Sequence, residues 1–497
     1  MQTTSEQPKI NTLGALKQSG YVYKTIKQEL QDNLKEKLKK GLDTFEGIIG
    51  YEDTVIPELE RAILSGHNIN LLGLRGQAKT RIARSMVSLL DEWIPVVAGS
   101  ELNEDPLNPI SNWCSNEIAQ HGDATPIIWM HKSERYAEKL ATPDVSIADL
   151  IGDIDPIKAA NLRLSFADDR VIHYGIVPRS NRCIFVINEI PDLQARIQVA
   201  LFNILQEGDI QIRGYKLRIP LDMQFIFTAN PEDYTNRGSI VTPLKDRIGS
   251  QIITHYPKSR EVAKAITQQE ATKFRDRNLG IKIPELAHDI LEQISIEARN
   301  NEFVDVKSGV SARLSISAYE NLMSGIERRM LINNETSSCV RMTDFYSIVP
   351  AITGKIELVY EGEQEGASLV AHHLIGKAIR TVFTEIFPNP EKAKKKDKIS
   401  PYQIIETWFA DENVLDLFNN AAQKSYEESL KNVAGLRELS TKYFKSKNDI
   451  EHYFFMEFIL FGLAEYSKLN KKVLERSVQF KDLFGSYFSE SSNDIDS

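Results

Sequence analysis

The sequence predicts an α/β fold in its first half and a nearly all-helical second half. Short apolar runs bounded by turn residues, at 69–74, 183–188 and 223–230, are typical of buried strands. Segments with helical spacing of apolar residues lie between these runs, and such alternation indicates a parallel sheet covered by helices. We therefore expect a three-layer α/β core with a parallel sheet, followed by an all-α lid and a helical C-terminal extension.

Shifts in composition along the 497 residues suggest where the domains begin and end. Alternating residues around Arg213, Gly214 and Tyr215 also predict a β-hairpin within the core. Charged helical segments precede the core, and a Lys- and Pro-rich stretch interrupts the helical half. The predicted boundaries are an N-terminal helical extension at 1–40, the α/β core at 41–256, a helical lid at 257–385, a linker at 386–400, a helical C-terminal domain at 401–485 and a disordered acidic tail at 486–497.

The composition is that of an acidic globular protein. The net charge is −9, which disfavours free nucleic acid as a partner. Three widely spaced cysteines form no CxxC pair, so neither a disulfide framework nor a zinc site is indicated. No signal peptide is visible, and no apolar stretch approaches the roughly 20 residues that span a bilayer. We expect a cytoplasmic protein without a membrane span.

The segment "GLRGQAKT" (73–80) matches a phosphate-binding loop in all but one residue. In such loops, which join a strand to a helix, backbone N–H groups face the phosphates, the lysine reaches the β and γ oxygens and the hydroxyl ligates Mg²⁺. Ala78 replaces the usual glycine before the lysine, and it costs little if its backbone is not at positive φ. The predicted nucleotide-binding residues are Gly73, Leu74, Arg75, Gly76, Gln77, Ala78, Lys79, Thr80 and Arg81.

The second motif lies about 110 residues later, where four apolar residues precede Asn188 and Glu189. The usual pattern ends in Asp-Glu, with the first acid beside Mg²⁺ and the second polarising the attacking water. Glu189 is therefore the predicted catalytic residue. Asn188 can still hold a magnesium-bound water by a hydrogen bond, but it brings no negative charge, so we expect weaker Mg²⁺ binding and slow hydrolysis.

Three further residues complete the set of catalytic candidates. Asn230 ends the third apolar run and can orient the attacking water, although asparagine is also a common turn residue. Arg247 follows Asp246, and an arginine from a neighbouring subunit would stabilise transition-state charge, although this pair is equally typical of a protein surface. Arg313 begins a helix of the second half, and a cation is unfavourable at a helix N-terminus. Its side chain is therefore either solvated or placed there to reach the γ-phosphate.

Taken in order, these elements resemble the AAA+ ATPases, specifically the branch of MoxR and the magnesium-chelatase ATPase subunit. The motifs that carry the resemblance, which covers about 40–375, are "GLRGQAKT", "FVINEI", "FTANPEDY", "LKDRI" and "GVSARL". It implies binding of ATP and Mg²⁺, with Thr80 and Asn188 at the metal and Glu189 as the catalytic acid. It further makes Asn230 the first sensor, Arg247 a finger acting on the adjacent subunit and Arg313 the second sensor. "GIIGYEDTV" resembles the segment that packs on adenine, with Ile48 and Ile49 as the contacts.

The resemblance implies a ring-forming ATPase, usually a hexamer, that remodels or activates a partner protein carrying a von Willebrand factor A domain. One alternative is the motor subunit of a metal insertase of the magnesium-chelatase type. Another is a nucleotide-dependent scaffold that does not hydrolyse ATP, with Asn188 marking the lost activity. A nucleic-acid motor is a weaker option, kept open only by Arg213, Lys216 and Arg218 on the predicted hairpin.

Overall fold

The computed structural model describes residues 6–164, 169–211, 218–231, 239–271, 280–392, 400–445 and 449–483. The chain divides into two compact units, Met1–His255 and Tyr256–Ser497. The break lies one residue before the predicted start of the helical lid. Cys114, Cys183 and Cys339 are all buried free thiols. Within the described part of the chain, no helix combines the length and the apolar composition needed to cross a membrane.

The first unit alternates helices with strands. Its α-helices are α1 (Leu13–Gln18), α2 (Ile26–Lys39), α3 (Val55–Leu64), α4 (Lys79–Ser85), α5 (Asn112–His121), α6 (Ile147–Leu150), α7 (Pro156–Leu162), α8 (Ile176–Arg179), α9 (Ala195–Glu207) and α10 (Thr242–Arg247). Its strands are β1 (Ile69–Leu72), β2 (Trp93–Val97), β3 (Ile127–His131), β4 (Tyr136–Leu140), β5 (Gly152–Ile154), β6 (Ile172–Tyr174), β7 (Ile184–Asn188), β8 (Asp209–Gln211), β9 (Arg218–Pro220), β10 (Gln224–Ala229) and β11 (Ser250–Ile253).

A five-stranded parallel sheet forms the centre of the first unit, in the order β11-β1-β10-β7-β4. The three apolar runs predicted to be buried strands become β1, β10 and β7, the three central strands. One face of the sheet packs on α3 and α4 and the other on α9 and its neighbours, so both faces are covered. This arrangement confirms the predicted parallel α/β core. Strands β8 and β9, on either side of the predicted hairpin turn, pair antiparallel, whereas Arg213, Gly214 and Tyr215 lie outside the described residues.

The N-terminal helices belong to the core of this unit. Ile26, Leu30 and Leu34 of α2 are buried in the same cluster as residues of α3 and β1. Glu29 of α2 forms a buried two-point ion pair with Arg135, with N–O distances of 2.6 and 2.7 Å. A paired charge of this kind can be buried because each partner replaces the water that the other has lost. The helical segment predicted at the N-terminus therefore packs into the core of the α/β unit.

The second unit is mostly helical. Its α-helices are α11 (Arg260–Glu270), α12 (Glu285–Arg299), α13 (Arg313–Asn333), α14 (Val349–Thr353), α15 (Tyr360–Glu365), α16 (Ala367–Ile386), α17 (Gln403–Ala410), α18 (Gln423–Lys431), α19 (Leu436–Tyr443) and α20 (Asp449–Glu465). Its strands are β12 (Ile281–Lys282), β13 (Ser338–Cys339), β14 (Leu415–Phe418), β15 (Asn470–Val473) and β16 (Ser477–Lys481). A single hydrophobic core runs from α12 to β16, so the segments on either side of the predicted linker share it.

The region 401–485, expected to be helical, also contains a small sheet. Strands β14, β16 and β15 pair antiparallel in that order. Leu417 lies opposite Val478 and Leu415 opposite Phe480, which buries one face of the sheet in the core. Apolar and polar residues alternate in these short segments, as is typical of strands. The alternation covers too few residues to be distinguished from the helical pattern of the surrounding region, which includes the long apolar helix α20.

Candidate phosphate-binding site

The predicted phosphate loop lies at the carboxyl end of β1 and leads directly into α4. The Gly73 N–H donates a hydrogen bond to the Ala229 carbonyl at 3.1 Å, which ties the start of the loop to the end of β10. A side chain at Gly73 would collide with Thr254 and Gln77, so only glycine fits there. Gly76 has φ +74°, a conformation that also favours glycine.

Ala78 departs from the expectation made for it. Its backbone is left-handed, with φ 57° and ψ 15°. For an L-residue this conformation costs roughly 1–2 kcal/mol, because Cβ approaches the carbonyl oxygen too closely. The substitution was expected to cost little only if φ is not positive, and this condition is not met. Ala78 is exposed, so the cost arises in the backbone rather than in packing.

Lys79 folds back over its own loop. Its ammonium group donates hydrogen bonds to the carbonyl oxygens of Gly73 and Leu74, the second at 2.9 Å. Thr80 follows in the first turn of α4 and is half-buried, whereas Arg75 and Arg81 are exposed. The Lys79 ammonium group therefore contacts two neutral carbonyl oxygens of the loop, and phosphate oxygens can replace such partners.

A threonine that the sequence analysis did not select organises the second motif. The buried Thr228 hydroxyl donates to Oδ1 of Asn188 at 3.2 Å and accepts from the Glu189 N–H at 3.1 Å. Glu189 itself has a left-handed backbone with φ 57°, and its side chain is exposed. Backbone strain of this kind persists only where neighbouring contacts enforce it, and the Thr228 hydrogen bond is one such contact. In the sequence, Thr228 could have been recognised as a polar residue within the otherwise apolar run "FIFTA" of this strand.

Asn230 follows directly after β10, at the same edge of the sheet as the loop. Leu72 pairs with Ala229 at the ends of β1 and β10, which brings the residues that follow them close together. Oδ1 of Asn230 is buried and has no hydrogen-bond partner among the described residues. An unpaired buried acceptor costs about 1–3 kcal/mol, so its presence beside a phosphate loop fits a site whose remaining partner is a ligand or its water.

The other predicted residues lie in more varied places. Arg247 ends α10, where it bonds to Asp246 at 2.7 Å and to Gln206 at 3.2 Å and lies 4.4 Å from the Phe202 ring centroid. Arg313 is the exposed first residue of α13 and belongs to the second unit.

Of the two predicted adenine contacts, Ile48 is buried in the first unit's core and Ile49 is half-buried. On the hairpin, Arg218 lies 3.6 Å from Asp209, whereas Arg213 and Lys216 fall outside the described residues.

The donor set suits a metal that arrives with phosphate. In the part of the chain that the structure describes, no group of three or more His, Cys, Asp or Glu side chains could hold an ion on its own. The site instead offers the Thr80 hydroxyl, the Asn188 amide and the nearby Glu189. Mg²⁺ in such sites is bound by one or two protein groups together with phosphate oxygens and water, and these residues fit that mode.

Comparisons with known proteins give one family match and several weak structural similarities. The Sigma-54 interaction domain family matches residues 163–250. Among solved structures, similarity extends to NtrX from Brucella abortus (14% identity, 60% of this chain and 55% of that chain, TM-score 0.33). It extends also to the complex of the magnesium chelatase subunits BchI and BchD (18%, 65% and 98%, TM-score 0.35) and to RuvB, the Holliday junction branch migration motor of Thermotoga maritima (13%, 72% and 76%, TM-score 0.33). No curated protein matches the sequence.

These likenesses are low, and this chain spans only about half of the NtrX chain that it matches. The fold assignment therefore depends on the features of the molecule itself: the parallel strand order β11-β1-β10-β7-β4, the loop after β1 and the second motif after β7. The match to the Sigma-54 interaction domain spans β7, which ends at Asn188, and β10, which Asn230 directly follows. Together these features show that the chain has the AAA+ P-loop fold, with a five-stranded parallel sheet and helical regions.

Proposed function

We propose that this protein binds and hydrolyses ATP as a ring-forming AAA+ motor that remodels or activates a partner protein in the cytoplasm. The observation that carries the proposal is the grouping of Lys79, Asn230 and the Asn188-Glu189 pair at one edge of the parallel sheet. All of these groups lie at or just beyond the carboxyl ends of central strands, and Asn230 keeps a buried oxygen without a partner among the described residues. A site that contains a lysine, a carboxylate and an amide oxygen without a hydrogen-bond partner among the described residues is suited to phosphate transfer to water.

Each residue has a distinct part in this proposal. Lys79 would exchange the loop carbonyls for phosphate oxygens, and the Thr80 hydroxyl and Asn188 would hold Mg²⁺ and its water. When bound, Mg²⁺ would neutralise charge that develops on the phosphates. Glu189 accepts a proton from the attacking water, and Asn230 orients that water.

Residues outside the loop complete the proposed machinery. Arg247 would act on the nucleotide of the adjacent subunit, and Arg313 would reach the γ-phosphate from the helical unit. Ile48 and Ile49 would pack on adenine.

Asn188 makes slow hydrolysis the expected behaviour. Its Oδ1 already accepts a hydrogen bond from Thr228, and an amide adds no negative charge beside the metal. The same observation favours a second candidate, a scaffold that binds ATP without hydrolysing it. The motor subunit of a metal insertase remains an alternative within the motor class. A partner with a von Willebrand factor A domain would favour the chaperone, and a large porphyrin-binding partner would favour the insertase.

Measuring phosphate release and ATP binding by the full chain and by Glu189→Gln tests the proposal. We expect slow release by the wild type, at least about tenfold slower release by Glu189→Gln, and ATP binding by both. Glu134→Gln, on an exposed turn, is the matched control and should hydrolyse like the wild type. Binding without hydrolysis by either protein would support the scaffold, and absence of ATP binding would overturn both candidates.

A further inference from the structure

A polar cluster links the phosphate loop to the last residues of the first unit. Gln77, one of the predicted nucleotide-binding residues, turns its side chain into the protein and is 6% exposed. Its Oε1 accepts a hydrogen bond from the Thr254 hydroxyl at 2.8 Å. Thr254 follows β11 directly, and its N–H donates to the Leu72 carbonyl at 2.9 Å. The loop and the end of β11 are thus joined by a buried side-chain hydrogen bond.

Tyr51 joins the same two segments from another side. Its hydroxyl lies 3.0 Å from the carbonyl oxygen of Gln77 and 2.7 Å from that of His255. Its ring meets the His255 ring edge-on, with centroids 4.9 Å apart, and the Thr54 hydroxyl lies 2.9 Å from Nε2 of His255. Tyr51 is itself 6% exposed, so its hydrogen bonds are shielded from water and fix the backbone of Gln77 relative to that of His255.

The cluster ends where the first unit ends. His255 is the last residue of the first unit and Tyr256 is the first residue of the second. Within the second unit, the Arg299 guanidinium of α12 lies over the Tyr256 ring, 4.3 Å from its centroid, and Arg299 Nε donates to the Val310 carbonyl. The peptide bond between the units is therefore anchored on each side by side chains of that side's own unit.

We propose that Gln77, Tyr51 and Thr254 couple occupancy of the phosphate loop to the backbone at 254–256, at the junction of the two units. The inference deepens the proposed function and depends on it, because the ligand that fills the loop is ATP. Lys79 must leave the carbonyls of Gly73 and Leu74 to reach phosphate, and only Ala78 separates it from Gln77. Both the side-chain and the main-chain oxygen of Gln77 are tied to this cluster, so a change in the loop is passed to residues 254 and 255. Gln77 is a positioning residue in this scheme.

Hydrogen–deuterium exchange of the full chain, with and without a non-hydrolysable ATP analogue, tests the coupling. In the wild type, the analogue should slow exchange of peptides covering 254–258 by about fivefold or more. Thr254→Val has the same shape but lacks the hydroxyl, and Gln77→Leu lacks the acceptor. Both should lose the slowing at 254–258, and Thr254→Val should bind the analogue within about threefold of the wild type. Thr254→Ser restores the hydroxyl and should restore the slowing.

The controls separate coupling from general destabilisation and from failure of the proposed function. Gln31→Leu removes a side chain whose bond to the Leu64 carbonyl lies at the surface, and it should leave the response intact. Full slowing in Thr254→Val and Gln77→Leu would overturn the coupling, as would a uniform rise in exchange across the first unit. If the wild type binds the analogue without slowing at 254–258, the coupling alone fails. If the wild type does not bind it, the proposed function fails and takes the coupling with it.

Discussion

Replacing Ala78 with glycine tests whether the phosphate loop is already in its binding conformation before nucleotide arrives. Ala78 holds φ 57° in the structure, where glycine is unstrained and alanine is not. If the loop keeps this conformation with and without nucleotide, the strain is present in both states and cancels in the binding free energy. The substitution should then stabilise the folded first unit and leave ATP affinity nearly unchanged.

The magnitude follows from two opposing terms. Relief of the left-handed strain is worth about 1–2 kcal/mol. The greater backbone freedom of glycine in the unfolded chain costs about 0.5–1 kcal/mol of this gain. The net stabilisation lies between about 0 and 1.5 kcal/mol. Its middle value of about 0.75 kcal/mol raises the midpoint of thermal unfolding of a unit of this size by about 1.5–3 °C. Ala78 is exposed, so lost packing should contribute little.

Differential scanning calorimetry and calorimetric titration with ATP measure both quantities on the full chain. Ala78→Val provides a control of opposite sign, because a β-branched residue is strongly disfavoured at positive φ. It should lower the unfolding midpoint of the first unit. An unchanged midpoint for Ala78→Gly together with ATP affinity raised several-fold would refute the argument, since it would mean that the strained loop forms only on binding.

Three further predictions concern the second motif and the helical unit. Thr228→Val removes the hydroxyl between Asn188 and Glu189, so phosphate release should fall at least about tenfold while ATP affinity stays within about threefold. Thr228→Ser should recover the rate of phosphate release. An unchanged rate in Thr228→Val would contradict the role of Thr228 in organising the second motif. Asn188→Asp adds the missing charge, so it should raise phosphate release about tenfold and lower the Mg²⁺ concentration required, whereas a slower variant would count against the account. Burial raises the pKa of Glu457 from its ordinary 4.5 to about 7. The folded state therefore binds more protons between these values, and the free energy of unfolding of the second unit should fall by up to about 3 kcal/mol as the pH rises from 4.5 to 7. Glu457→Gln should flatten this dependence in denaturation at several pH values, and an equal slope would exclude Glu457 as its source.

The central strands could be predicted from the sequence because their apolar runs are buried on both faces. The two edge strands of the parallel sheet could not. Tyr136–Leu140 is half-buried and carries Glu138 and Lys139, and Ser250–Ile253 has a single buried residue. The apolar segments at 94–97 and 127–130 read equally well as sheet strands, yet they pair with each other in an antiparallel ribbon apart from the main sheet. Edge positions demand little burial, so their pattern is weak.

At the site, the sequence identified residue types but not conformations or partners. The loop and Glu189 follow from motif and order alone. The turn from β1 into α4 imposes the left-handed backbone of Ala78, and an alanine at this position does not predict that conformation. Gln77 and Thr228 owe their roles to residues 177 and 40 positions away, which only the folded chain brings near. Long-range hydrogen bonds of this kind leave no periodic signal in the sequence.

The central claim is that the loop at 73–80 binds ATP through Lys79. Titrating ATP in the presence of Mg²⁺ into the full wild-type chain, Lys79→Ala and the surface control Lys39→Ala tests it most directly. We expect saturable binding by the wild type and by Lys39→Ala, and at least about tenfold weaker binding by Lys79→Ala, because a charge-assisted contact to phosphate is lost. Equal binding by Lys79→Ala and the wild type, or no binding by the wild type, would contradict the claim.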